Sequence, residues 1–400
     1  MTATRPDTLA IDGGRPVRST FLPYAHQQIS DDDVAAVAAA LRSDWLTTGP
    51  RVPAFEAELA AVTGARHAVA FSSGTAALHG AAVAAGLGPG DEAITTPMTF
   101  AATANAVLYA GAEVRFADID AGTLIIDPAR VAAAVTSRTK AILPVDYAGH
   151  PADHAALRTI ADHAPAGRLT IIADASHSLG ATRDGRAVGT LADMTVLSLH
   201  PAKILTTGEG GAVLTDDDDL AAHLRRFRNH GIATELAART DWTYAMVELG
   251  YNYRLTDIGA ALGSSQLERL GSFLERRRAL AARYLIRLEG HPHLDMPVVE
   301  PGADPAWHFA FAQLRLDTLR VDRGAVYRAL RAEGIGVNVH YIPVHQHPYY
   351  RTRYPGLAFP VADAAYERLL TLPLFAGMVM ADVDDVVAAL DKVTGAYRAG

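Results

Sequence analysis

The chain has 400 residues, enough for a large domain plus a smaller one built on more than one hydrophobic core. Its 50% hydrophobic and 20% charged residues are the balance of a globular protein, and a formal net charge of -8 with no cluster of Lys and Arg argues for a small-molecule substrate and against a nucleic-acid partner. With no cysteine, disulfides, thiolate nucleophiles and cysteine-ligated metals are excluded.

No stretch approaches the ~20 apolar residues of a membrane span, and residues 1–14 lack the apolar core of a signal peptide, so no membrane association and a cytoplasmic location are expected.

A flexible segment is expected over residues 1–24. Ser30 followed by Asp31, Asp32 and Asp33 reads as an N-cap with acids in the first turn and predicts a helix to about Ser43. Residues 46–50 read as a loop. From His67 to Val213, short apolar or β-branched runs at 68–71, 93–96, 114–117, 141–145, 169–173, 194–199 and 211–214 alternate with Ala-rich helical stretches. That alternation predicts an α/β fold with a mostly parallel central sheet, whose ligand site lies at the carboxyl ends of the strands. The acidic run 216–219 opens a helix carrying Arg225, Arg226 and Arg228, and reads as surface charge matched to the helix dipole. Beyond Arg254 a long helix is expected through Gln266 and Leu270 to Leu288, then a strand at 307–316, a helix at 323–333 and a strand at 336–342. The change of pattern near Leu270 divides a large domain, 25–270, from a smaller α+β domain, 271–400.

Three groups of residues carry chemistry. Ser72-Ser73-Gly74-Thr75-Ala76 follows a predicted strand and opens a predicted helix, where small residues and the helix N-terminus suit a phosphate; a ligand-free tight turn would use the same residues. Asp174 stands just beyond an apolar strand, where it can keep a pyridine nitrogen protonated or simply cap a helix. Lys203 closes the string Ser198-Leu199-His200-Pro201-Ala202-Lys203 and is followed by Thr206-Thr207-Gly208-Glu209-Gly210-Gly211. Hydroxyls and glycines around a desolvated amine favour Schiff-base formation; a lysine snorkelling over a turn is the structural alternative. The chain has only three lysines, the others being Lys140 and Lys392. Phosphate turn, ring-nitrogen acid and amine in this order point to a pyridoxal 5'-phosphate (PLP) enzyme with its cofactor on Lys203.

On these strings the chain resembles the sugar aminotransferases of PLP fold type I, the DegT/DnrJ/EryC1/StrS family, from about Leu22 to beyond Leu374. The resemblance implies the aspartate aminotransferase-like fold with a smaller C-terminal α+β domain. It also implies that Gly74, Thr75 and Ser198 hold the phosphate, Phe100 stacks on the ring, Asp174 pairs with the ring nitrogen and His177 lies near the ring hydroxyl. Tyr251-Asn252-Tyr253-Arg254-Leu255 looks like the family's segment that reaches the neighbouring subunit's site, with Asn252 on the phosphate and Arg254 near the substrate, in a homodimer with shared active sites. From the residues alone, Phe100 would be assigned to the core and Asn252 to a turn.

Three further strings, Asp44-Trp45-Leu46-Thr47-Thr48-Gly49-Pro50, Val145-Asp146-Tyr147-Ala148-Gly149-His150 and Val339-His340-Tyr341-Ile342-Pro343-Val344-His345, are similar to members that aminate carbon 4 of a UDP-linked 4-keto-6-deoxy sugar, the pseudaminic-acid-pathway transaminase especially. The implied substrates are that nucleotide sugar and an amino-acid donor, with glutamate expected. A keto-cyclitol or dTDP-linked keto-sugar is the alternative acceptor.

His340, His345 and His347 lack a second cluster that would complete a metal site, so no metal is expected; His345 is assigned to the sugar site and His347 to the surface. A non-catalytic PLP-binding regulator would keep the same lysine. An NAD-dependent sugar dehydrogenase lacks support because no G-x-G-x-x-G follows the first strand.

Overall fold

The computed structural model describes residues 8–233 and 241–400. Its main sheet has seven strands: β1 (His67–Phe71), β2 (Glu92–Thr95), β3 (Glu113–Phe116), β4 (Thr139–Leu143), β5 (Thr170–Asp174), β8 (Met194–Ser198) and β9 (Gly211–Thr215), in the order β1-β9-β8-β5-β4-β2-β3. The short strands β6 (Thr182–Arg183) and β7 (Arg186–Ala187) form a side hairpin with β11 (Ala303–Asp304). Pairing is parallel from β3 across to β8, and β9 alone runs against its neighbours β1 and β8. The α/β fold with a mostly parallel sheet is therefore present, and each expected strand of this sheet falls within about two residues of its observed place.

Burial explains why these runs are strands. β2 is buried along its whole length and β5 along all but its first residue, as expected for a sheet with helices on both faces. The covering helices are thin because they are Ala-rich: Gly74–Ala84 buries Ala76, Ala77, Ala81 and Ala82 against the sheet. Gly80 permits the closest approach, since a methyl there would meet the Phe71 ring at 2.9 Å.

The predicted helix at Ser30 is observed as Asp31–Leu41, with the Ser30 hydroxyl accepting from the Asp33 N–H and the Asp33 carboxylate accepting from the Ser30 N–H. The single long helix expected after Arg254 is instead two, Asp257–Glu268 and Leu270–Arg287, broken at Arg269.

A second sheet, β10 (Leu294–Asp295), β12 (Ala310–Leu314) and β13 (Leu369–Leu372), packs with the helices Leu270–Arg287, Arg323–Ala332 and Met380–Ala396 around a separate core that includes Leu280, Tyr284, Leu330 and Val386. The strand expected over 336–342 does not form: the stretch makes one isolated bridge, Asn338 with Thr371, while Ile335 just before it bridges Leu22 and the Gly336 N–H donates to the Leu22 carbonyl. It is held against two elements at once and follows neither.

The N-terminal stretch also departs from expectation. Residues 1–7 lie outside the described residues, but from Thr8 onward the segment is built into the second core, with Leu9 and Leu22 buried there and Glu333 accepting from the Ala10 and Val17 N–H groups. Its end brings Tyr24 to a cavity at the carboxyl ends of the main-sheet strands.

Candidate active site

The carboxyl ends of β1, β2, β4, β5 and β8 open on a cavity of about 390 Å³, within the usual range for a small-molecule site. The parallel topology brings distant residues here, because each strand ends at the same edge and hands its loop to the same space. Gly74, Thr75, Phe100, Asp174, His177, Ser198 and Lys203 all line it.

Gly74 and Thr75 begin the helix that follows β1. The Ser73 hydroxyl accepts from the Ala76 N–H at 3.1 Å, while the first N–H groups of a helix have no partner inside it and suit an anion. Ser198, at the end of β8, lies against this turn; a Cβ at position 74 would come within 3.0 Å of the Ser198 Cβ, so glycine is what lets turn and strand meet.

Asp174 ends β5, nearly buried, with its carboxylate fixed by two donors. The Thr103 hydroxyl donates to Oδ2 at 2.6 Å and the Ser176 N–H to Oδ1 at 3.2 Å. Thr103 is fully buried on the helix Ala101–Tyr109, and its hydroxyl also bonds that of Thr99 at 2.8 Å.

Lys203 sits in the turn after β8. Burial pushes its ammonium down to about 8, against the opposing pull of Asp174. Around it stand three buried histidines, His177, His308 and His340, each held low first by burial and then by the lysine's charge, His340 down to about 3. The His177 and His308 rings are 4.5 Å apart. The Tyr341 hydroxyl shares a hydrogen bond of 3.0 Å with His177 Nε2, and burial holds that phenol well above its ordinary range. Phe100 is not a core residue: it is 60% exposed at the cavity mouth, its ring centroid 5.9 Å from that of Tyr341.

The remaining assignments fall elsewhere. Asn252 and Arg254 are absent from the walls of the chain's own cavity. Asn252 is exposed, while the Arg254 guanidinium donates to Asn229 Oδ1 at 2.7 Å. The assignment of His345 to the sugar site is corrected: its Nε2 lies 3.0 Å from Asp363 Oδ1 and its ring packs edge-on to Phe359, away from the cavity. Among the described residues no group of three or more His, Asp or Glu is arranged to hold a metal.

Thr103, His308 and Arg277 were not singled out from sequence. The available signal is Thr103 itself, a polar residue in the first turn of an Ala-rich helix, with Thr99 just before the N-cap Phe100.

PLP fits this arrangement. A helix N-terminus and a serine face one end of the cavity, a fixed carboxylate and a lowered amine share it, and the buried Nδ1 atoms of His177 and His308 have no hydrogen-bond partner among the described residues. Fold and site together define a PLP-dependent transaminase of fold type I.

The chain belongs to the DegT/DnrJ/EryC1/StrS aminotransferase family, whose profile matches residues 27–391. It is 42% identical over 387 residues to the spore coat polysaccharide biosynthesis protein SpsC of Bacillus subtilis (strain 168), covering 95% of this chain and 99% of that protein. It is similar in structure to Streptococcus pneumoniae Spr1654 in its PMP form, with a TM-score of 0.88 and 29% identity over 94% of this chain and 99% of that one. The same protein is also solved in PLP and apo forms. Helicobacter pylori PseC, an aminotransferase involved in the biosynthesis of pseudoaminic acid, matches with a TM-score of 0.88 and 28% identity, covering 94% of this chain and all of that one. The cofactor is PLP, and the activity is that of a sugar aminotransferase.

Proposed function

We propose that the enzyme moves an amino group from glutamate to the 4-keto group of a UDP-linked 4-keto-6-deoxy sugar. The observation that carries this reading is where the similar strings fall: Val145 from the second, and His340 and Tyr341 from the third, stand in the cavity wall with Lys203. The likeness to PseC supports it, because that protein is an aminotransferase involved in the biosynthesis of pseudoaminic acid.

In this reading the N–H groups of Gly74 and Thr75 and the Ser198 hydroxyl hold the cofactor phosphate, and Phe100 covers a ring face. Asp174, oriented by Thr103, keeps the ring nitrogen protonated, and His177 meets the ring hydroxyl. When bound, PLP supplies the electron sink that makes the substrate C–H bond acidic.

Lys203 would hold the cofactor through its amine, and that amine, once freed by the donor, would be the base that takes and returns the proton at the substrate carbon. An amine lowered by burial to about 8 suits both duties, because its neutral and protonated forms are both within reach near neutrality. The neutral histidines add hydrogen bonds without a competing positive charge. Asn252 and Arg254, outside their own chain's cavity, serve the site of a second subunit in a homodimer. The nucleotide gives remote binding energy that places the ketone carbon at the reacting nitrogen.

The test loads the enzyme with its amino group from glutamate, then offers a UDP-linked 4-keto-6-deoxy-N-acetylhexosamine, a dTDP-linked keto-sugar and a keto-cyclitol separately, following the cofactor absorbance back to its aldehyde form. Rapid return with the UDP sugar is expected, and poor return with free keto-hexoses. Return with the cyclitol alone would sink the proposed substrate and leave the aminotransferase chemistry in place.

A further inference from the structure

We propose that Arg277 is a positioning residue for the reaction, fixing the backbone from which Lys203 and His308 enter the cavity. This rests on Lys203 being the reactive amine. Arg277 lies within the helix Leu270–Arg287 and is 2% exposed. The two hydrogens of its Nη1 are shared among the carbonyls of Trp307, His308 and Leu374 at 3.2, 2.9 and 3.1 Å, and its Nη2 donates to the carbonyl of Lys203 at 3.3 Å. No carboxylate among the described residues pairs with it, and burial alone pulls the guanidinium down to about 10.

A buried cation with no anion is a costly way to fill space, and an apolar side chain of the same bulk would be cheaper. What a guanidinium adds is a rigid fork of donors. Here the fork ties together three segments far apart in sequence, and two of them present cavity-lining side chains.

The backbone around those side chains needs such a tie. Trp307 has φ +53°, the left-handed region that a bulky residue adopts only when its surroundings impose it. Arg277 holds the Trp307 and His308 carbonyls from one side, while the His308 N–H donates to the Ala148 carbonyl at 2.9 Å from the other. The Lys203 N–H donates to the His200 carbonyl at 2.8 Å, so with Arg277 on its carbonyl both polar backbone groups of Lys203 are fixed. The amine then swings from an anchored Cα, with the neutral His308 ring beside its path.

The test compares Arg277→Lys, which keeps the charge and loses the fork, with Arg277→Met, which keeps only the bulk. In the apo proteins, pulse acetylation across a pH series, read by mass spectrometry, gives the titration of Lys203. Lys140 and Lys392, ion-paired with Asp91 and Glu333, serve as internal references. The parent should titrate at about 8, and in both variants the Lys203 midpoint should rise as the loop relaxes toward solvent while the references stay put. In the holoenzymes kcat should fall ~10-fold to ~100-fold, with the KM for the amino donor changed far less, the pattern of a misplaced reacting group.

Thermal melting identifies variants that fold, and if Arg277→Met does not, Arg277→Lys alone decides. A folded variant with the parent's Lys203 midpoint and kcat overturns the role of Arg277. Borohydride trapping of the cofactor on Lys140 or Lys392 in the parent would instead overturn the reading of Lys203, and the role of Arg277 with it.

Discussion

The catalytic lysine should cost the apo protein stability at neutral pH, and Lys203→Met should recover it. The Lys203 ammonium titrates at about 8 in the fold against 10.5 for the free side chain. Between those values the unfolded chain holds a proton that the folded chain has released, so stability rises with pH across that window and is lowest below it. The full linkage from 10.5 to about 8 is worth about 3 kcal/mol. Lys203 opens on a solvent-accessible cavity that screens its charge, so about 2 kcal/mol is the fair expectation. Methionine keeps the length of the side chain and drops the charge. Urea unfolding of the two apo proteins at pH 7, 8, 9 and 10 gives the difference at each pH. Lys203→Met should be the more stable by about 2 kcal/mol at pH 7, with the gap closing as pH approaches 10. A parent protein more stable than the variant at pH 7, or a gap that does not change with pH, would refute a desolvated Lys203.

Other substitutions probe the groups around it. Asp174→Asn should still bind PLP but lose ~100-fold or more in turnover, measured by donor half-reaction rates, because a neutral amide cannot hold a protonated ring nitrogen. Thr103→Val removes the hydroxyl on Asp174 Oδ2 without changing shape; a hydrogen bond to a buried carboxylate is worth about 1.5–3 kcal/mol, so apo unfolding should show a loss of that order, and no loss would mean water replaces the hydroxyl. Refolding inactive Lys203→Ala and Arg254→Ala chains together should restore activity, since one site of each mixed dimer has both residues intact. Mixed dimers without activity would remove Arg254 from the partner's site.

The site's principal residues could be read in sequence because their place is local. Asp174 and Ser198 each close an apolar strand, Gly74 opens the helix after one, and Lys203 follows the string that closes β8; parallel strands put such ends at one edge whatever lies between. Phe100 was harder, because a lone aromatic before a helix looks like core, and only its 60% exposure at the cavity mouth separates it from one. The stretch 336–342 has a strand's composition but makes only a single bridge, from Asn338 to Thr371, with Ile335 before it bridging Leu22, and composition cannot distinguish a ladder from a stitch.

His340 and His345 show where spacing stops informing. They are five residues apart, His340 in irregular backbone and His345 in the short 3-10 helix Val344–Gln346, so no single periodicity relates their directions. One enters the cavity, and the other turns back to Asp363 and Phe359. Thr103 and Arg277 were illegible for a related reason: they act on Asp174 and Lys203 across 71 and 74 residues of sequence, one through a carboxylate and the other through a carbonyl that every residue type possesses. A motif records the groups that touch the cofactor, whose chemistry restricts the residue type. The groups that hold those residues in place answer only to distance. They become visible once burial shows a hydroxyl or a guanidinium where an apolar side chain would have been the less costly choice.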